Sequence, residues 1–133
     1  MSDKVARNAV LVIDDDPDFR SLIEIFAQLW NIPVLQAGDC RSALKILDRE
    51  HQRITMILLD YFMPGMEPAK CVKAILAKAG PSIEVVLVTA AVDARARAVE
   101  LKINRWIAKP FESSTLKSLL TDRTTSTSQS PNL

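Results

Sequence analysis

The chain has 133 residues, 48% of them hydrophobic and 25% charged, with 17 Lys and Arg against 16 Asp and Glu. That length holds one domain with an ordinary core and not two. The charge balance disfavours nucleic acid or anionic lipid as a bulk-charge partner, and the longest apolar stretches, broken by Asp60 or Asp93, fall far short of a membrane span.

Strands and helices alternate five times. Residues 1–8 form a short extension that runs straight into a strand and carries no targeting signal. Ala9 to Ile13 is a run of mainly branched apolar residues and reads as a buried strand. Asp16 can cap the helix that follows, with Pro17 at its first position, where the missing N–H costs nothing. Phe19, Leu22, Ile23, Phe26, Ala27 and Trp30 make its apolar stripe, and Asn31 and Pro33 end it. Val34 to Ala37 reads as a second strand. Gly38 turns the chain, and Asp39 caps a second helix with Cys40, Ala43, Leu44 and Leu47 on its apolar side. His51, the one histidine, falls just past that helix and reads as a surface residue.

Met56 to Leu59 is the third strand, and Pro64–Gly65 marks a loop after it. Val72, Ile75, Leu76 and Ala79 define a third helix closed by Gly80–Pro81. Val85 to Val88 is the fourth strand, ending at Thr89. A weaker helix, rich in Ala and Arg, spans Asp93 to about Leu101. Trp106 to Ala108 is the fifth strand, and Leu116, Leu119 and Leu120 mark a short last helix. Residues 123–133, rich in Ser and Thr, have almost nothing to bury and read as a disordered polar tail or linker. Cys40 and Cys71 fall on different helices, far apart in sequence. They read as packing thiols in a reduced cytoplasmic setting.

Alternating β and α with right-handed crossovers predicts an α/β fold, a parallel sheet covered on both faces. Five such units fit the flavodoxin-like doubly wound order 2-1-3-4-5, whose switch point lies between the first and third strands. Asp14–Asp15 and Asp60 follow those two strands. Thr89 and Lys109–Pro110 follow the fourth and fifth. An Asp-Asp-Asp run can be a polar turn with a cap, but Asp16 alone suffices for capping. Three carboxylates at one rim repel one another without a cation, and Mg²⁺ suits hard oxygens while leaving room for a phosphate oxygen. Asp60 is then a nucleophile for phosphorus, with the Lys109 ammonium and the Thr89 hydroxyl placed to bind the transferred group. A lone strand-end Lys is usually a solvated residue, and a lone Thr there a strand-closing one. Together with the carboxylates they make a site.

These segments resemble the receiver domains of two-component response regulators. Four motifs carry the resemblance: Val-Ile-Asp-Asp-Asp-Pro, Leu-Leu-Asp-Tyr-Phe-Met-Pro-Gly-Met, Val-Thr-Ala and Ala-Lys-Pro-Phe, in order from about Val10 to Leu120. The resemblance implies a receiver domain over residues 9–122. Asp60 would be phosphorylated by a sensor histidine kinase or a histidine phosphotransfer protein, and would hold Mg²⁺ with Asp14, Asp15 and the backbone carbonyl of Phe62. It also implies that Thr89 and Lys109 bind the phosphoryl group, that Ala90 keeps the approach open, and that the Lys109–Pro110 peptide is cis. Thr89 and Trp106 would form the switch. Phe62 and Ala91 would border the water that ends the signal. Such a chain catalyses its own phosphorylation and dephosphorylation without being a conventional enzyme. Its outputs would be a downstream protein target and a homodimer through the fourth helix, fifth strand and fifth helix, with no nucleic acid and no membrane as partner. It would carry no output domain of its own, whether a stand-alone regulator or a piece of a larger protein.

Three departures stand out. Pro68 occupies a position where the family usually has Gly, Lys102-Ile103-Asn104-Arg105 replaces the usual Gly-Ala before the fifth strand, and Trp106 is bulkier than the usual switch aromatic. Two competing readings remain. A receiver-like module that binds partners without phosphorylation is opposed by the intact acid, Thr and Lys set. A Mg²⁺-dependent phosphatase or nucleotide enzyme is opposed by the lack of a P-loop and of Asp-x-Asp-x-Thr after a strand.

Overall fold

A computed structural model describes residues 7–121. The expected tail at 123–133 and most of the extension at 1–8 lie outside the described residues. Chain order runs β1 (Ala9–Ile13), α1 (Pro17–Leu29), β2 (Val34–Ala37), α2 (Cys40–Glu50), β3 (Ile54–Leu59), α3 (Pro68–Ala79), β4 (Glu84–Thr89), α4 (Ala94–Leu101), β5 (Arg105–Ala108) and α5 (Ser113–Thr121). The strands form one parallel sheet in the order β2-β1-β3-β4-β5. This is the flavodoxin-like order expected from the alternation of elements.

Alternation along each strand divides the core in two. Leu11, Ile13, Ile57, Leu59 and Leu87 face one side and pack with α2, α3 and α4. Val10, Val12, Met56, Leu58, Val86, Val88 and Ile107 face the other and pack with α1 and α5. Both faces of the central strands are therefore covered, which is why their sequences are continuous apolar runs. Strands β3, β4 and β5 begin earlier than hydrophobicity alone suggests, at Ile54, Glu84 and Arg105. Polar residues disguise these starts. The buried Arg105 on β5 grips both carboxylate oxygens of Glu84 on the adjacent β4, at 3.1 and 3.0 Å.

The predicted caps are present. Asp16 accepts from the Asp18 N–H at 2.9 Å, with Pro17 opening α1, and Asp39 accepts from the Ser42 N–H at 2.7 Å. Gly80, at φ 79°, ends α3. The stripe assigned to α1 is only partly inward: Ile23 and Ala27 are buried, Phe19, Phe26 and Trp30 half-buried, and Leu22 is exposed together with Ile25 and Leu29. On α3, Leu76 is exposed as well, and Cys71 takes a core position. His51 is exposed, as expected, and stands at the C-terminal cap of α2.

The cysteines depart from expectation. Cys40 and Cys71 are both buried and joined in a disulfide, with Cα atoms 6.0 Å apart. Their 31-residue separation hides this, because successive right-handed crossovers set α2 and α3 side by side on one face of the sheet. The reading of two free packing thiols is overturned, and with it the cysteine argument for a reducing setting. Among the described residues, no helix is long and apolar enough to cross a membrane.

Candidate functional site

Register explains why four sequence-distant segments meet. Ile13 pairs with Leu59, so the next residues, Asp14 and Asp60, leave β1 and β3 at the same level. The Asp60 N–H extends that ladder by donating to the Ile13 carbonyl at 3.0 Å. On the other side Thr89 pairs with Ala108, and the Lys109 N–H donates to the Thr89 carbonyl at 2.9 Å. The Lys109–Pro110 peptide is cis. All these groups stand at the carboxyl ends of adjacent strands, next to the switch between β1 and β3.

One carboxylate oxygen from each of Asp14, Asp15 and Asp60 lies within 4.8 Å of the others. Asp14 and Asp60 are buried, while Asp15 is exposed and leaves that side open to water. The Lys109 ammonium sits 2.7 Å from Asp14 Oδ2 and 3.9 Å from Asp60 Oδ2. Asp14 is further fixed by the Asp16 N–H, which donates to its Oδ1 at 3.0 Å. Thr89 is fully buried, and its Oγ1 accepts from the Ala91 N–H at 3.2 Å. Ala90 is exposed and Ala91 buried. Phe62 is exposed at the rim, its ring edge-on to Tyr61 with centroids 5.3 Å apart.

Burial pushes the Asp60 carboxyl above the usual carboxylate range. The Lys109 ammonium opposes that shift, the neighbouring Asp14 charge adds to it, and hydrogen bonding from Thr89 and from the Phe62 backbone opposes it. Asp60 Oδ1 is buried without a hydrogen-bond partner among the described residues. An unpaired buried carboxylate oxygen beside two further carboxylates is the donor chemistry of a hard divalent cation, so these residues fit Mg²⁺.

Three participants were not singled out as site residues from sequence. The Arg20 guanidinium on α1 donates to the Asp14 carbonyl at 2.6 Å and to Gln36 Oε1 at 3.1 Å, tying the end of β1 to β2. Tyr61 lies under the Arg97 guanidinium, 5.0 Å from the ring centroid, and its hydroxyl meets Arg97 and Glu100, so the residue after Asp60 touches α4. The Phe19 ring, assigned to the buried stripe of α1, lies 4.0 Å from the Lys109 Nζ. No local pattern signals these contacts, since each joins elements distant in sequence. Trp106 is half-buried against the α4 side of the core and lines an open groove of about 890 Å³ with Val92, Ala98, Val99 and Ile103.

The response regulator receiver domain model matches residues 10–121. The chain belongs to the receiver domains of two-component response regulators. Among curated relatives, this receiver domain is 30% identical over 104 residues to the heme response regulator HssR of Staphylococcus aureus (strain Newman), covering 77% of this chain and 45% of that protein. It is 29% identical over 106 residues to the transcriptional regulatory protein CpxR of Escherichia coli (strain K12), covering 78% and 44%. The chain thus spans less than half the length of these curated relatives. Among solved structures, chemotaxis protein CheY4 of Vibrio cholerae aligns with TM-score 0.74 at 25% identity, over 88% of this chain and 98% of that one. A response regulator receiver protein from Pseudomonas putida aligns with TM-score 0.78 at 21% identity, over 90% and 99%, and shows the shared fold.

Proposed function

We propose that this receiver domain accepts a phosphoryl group on Asp60 from a phosphohistidine of a sensor histidine kinase or a histidine phosphotransfer protein. The observation that carries this reading is the buried Asp60, with an unpartnered Oδ1, set between two carboxylates and the Lys109 ammonium. A carboxylate oxygen of Asp60 forms the new bond to phosphorus as the phosphorus–imidazole bond breaks, and its electron pair stays on the ring nitrogen. Asp14, Asp15, Asp60 and the Phe62 carbonyl would hold Mg²⁺, which when bound neutralises charge on the phosphoryl oxygens. Lys109 moves from Asp14 toward a phosphoryl oxygen, and the Thr89 hydroxyl donates to another. Ala90 leaves the approach unobstructed.

The sheet supports a switch built on Thr89 and Trp106. Thr89 and Trp106 lie on the adjacent strands β4 and β5, toward the α4 side, so drawing Thr89 to the phosphoryl group changes the space beside Trp106 and the groove it lines. The α4–β5–α5 face is the proposed docking surface for a downstream protein or a second copy. A phosphorylation-independent binding module is not favoured, because it leaves three clustered carboxylates without a purpose. Incubation with acetyl phosphate and Mg²⁺, read by intact mass, should add one base-labile phosphoryl group that Asp60→Asn abolishes. Full labelling of that variant at the wild-type rate overturns the assignment.

A further inference from the structure

We infer that Phe19 is a positioning residue for Lys109, holding the ammonium over its ring face so that it stays at the phosphoryl site when Asp14 is engaged elsewhere. This rests on the phosphoacceptor reading above and adds to it a residue outside the acid, Thr and Lys set. The Lys109 Nζ lies 2.7 Å from Asp14 Oδ2, 3.9 Å from Asp60 Oδ2 and 4.0 Å from the Phe19 centroid. Two of these are proposed metal ligands. Once their charge is shared with a divalent cation, their pull on the ammonium weakens and the cation repels it. The ring's hold does not change with metal occupancy, because it comes from the negative π face.

Phe19 is well placed for this duty. It sits in the first turn of α1, the helix that follows the acid run, so the segment that supplies Asp14 and Asp15 also supplies the ring. Its orientation is braced by Phe111, which meets it edge-on with centroids 6.1 Å apart and interplanar angle 88°. Phe111 follows Lys109–Pro110, so the loop after β5 delivers both the ammonium and the ring that steadies its aromatic partner. The Lys109 side chain is one-fifth exposed and would have open water to swing into without that face. An aliphatic residue at position 19 would pack against Phe111 yet offer no negative face.

The test replaces Phe19 in the full-length chain with phenylalanines carrying one, two and three ring fluorines, which drain the π face while nearly preserving shape. Initial rates of labelling by acetyl phosphate at saturating Mg²⁺ should fall stepwise, by about threefold to tenfold at three fluorines. Phe19→Leu should resemble the trifluorinated protein, and Phe19→Tyr the wild type. In the metal-free protein, the Lys109 ε-methylene protons should be shifted upfield by the ring current in NMR spectra, and Phe19→Leu should remove that shift. Equal labelling rates across the fluorinated series, with melting temperatures unchanged, would show that Phe19 only packs. An absent ring-current shift overturns the contact itself. If the wild type is not labelled at all while the ring-current shift is present, the phosphoacceptor reading fails and the contact stands.

Discussion

Asp60 faces opposing demands. Under the proposed function it must be ionised to attack phosphorus, yet burial at the end of β3 favours its protonated form, and Asp14 adds to that preference. A carboxyl whose folded value is raised contributes stability that is complete below the unfolded value and is lost as pH rises through the folded one. The metal-free protein should therefore lose stability as pH climbs from about 4 toward neutrality, and Asp60→Asn should flatten that dependence. Urea titrations in chelator at several pH values measure this, and parallel curves for the two proteins would exclude Asp60 as the source. A second expectation concerns the lifetime of the phosphoryl group. Phe62, more than half exposed at the rim, has no polar group to hold an attacking water, and neither does the buried Ala91. Self-dephosphorylation should be slow, and Phe62→Asn should speed it several-fold in a decay time course. A variant that decays no faster removes Phe62 as the cause.

At the scale of elements, α4 is the unusual member. It has eight residues, fewer than any other helix among the described residues, and no side-chain hydrogen bond at its Asp93 cap. Its last turn ends on Lys102 in the left-handed conformation, φ 60°, with the Ile103 N–H returning to the Ala98 carbonyl at 2.9 Å. That backbone shape favours glycine, and a side chain there is held against its preference. The departure from Gly-Ala before the fifth strand therefore has a structural cost as well as a sequence signature. Lys102→Gly should stabilise the fold by about 0.5–1 kcal/mol, less than the full left-handed penalty because glycine also loosens the unfolded chain. Thermal unfolding checks this, and a destabilised variant would mean that the lysine side chain makes a compensating contact. The contact of Tyr61 with Arg97 and Glu100 ties this short helix to the residue next to Asp60, the proposed phosphoacceptor.

For the molecule as a whole, the Cys40–Cys71 bridge clamps α2 to α3 at the edge of one core layer. Closing a loop of 31 residues restricts the unfolded chain and is worth about 3–4 kcal/mol on the chain-entropy account. Reduction, or Cys71→Ser, should lower the melting temperature by about 10–15 °C. An unchanged melting temperature under reductant that leaves both thiols free would show that the bridge adds no stability. Because α3 starts just after the loop that follows Asp60, labelling rates under both redox conditions are worth recording in the same samples.

The alternation of apolar runs with helical stripes was enough to settle the architecture, since a parallel sheet buried on both faces leaves continuous branched runs that no other arrangement of this length explains as well. That the acid pair, Asp60, Thr89 and Lys109 would gather at one end of the sheet was legible for the same reason: each stands just past or at the end of an apolar run, and in such a sheet those ends lie side by side. What packs against what was not legible. That Leu22 faces solvent, that Phe19 backs the Lys109 ammonium and that Cys40 meets Cys71 depend on how helices rotate and pair across the sheet. A stripe of helical period tells which residues share a face but not which neighbour that face meets. Right-handed crossovers and strand register decide that, by bringing segments 31 to 95 residues apart into contact.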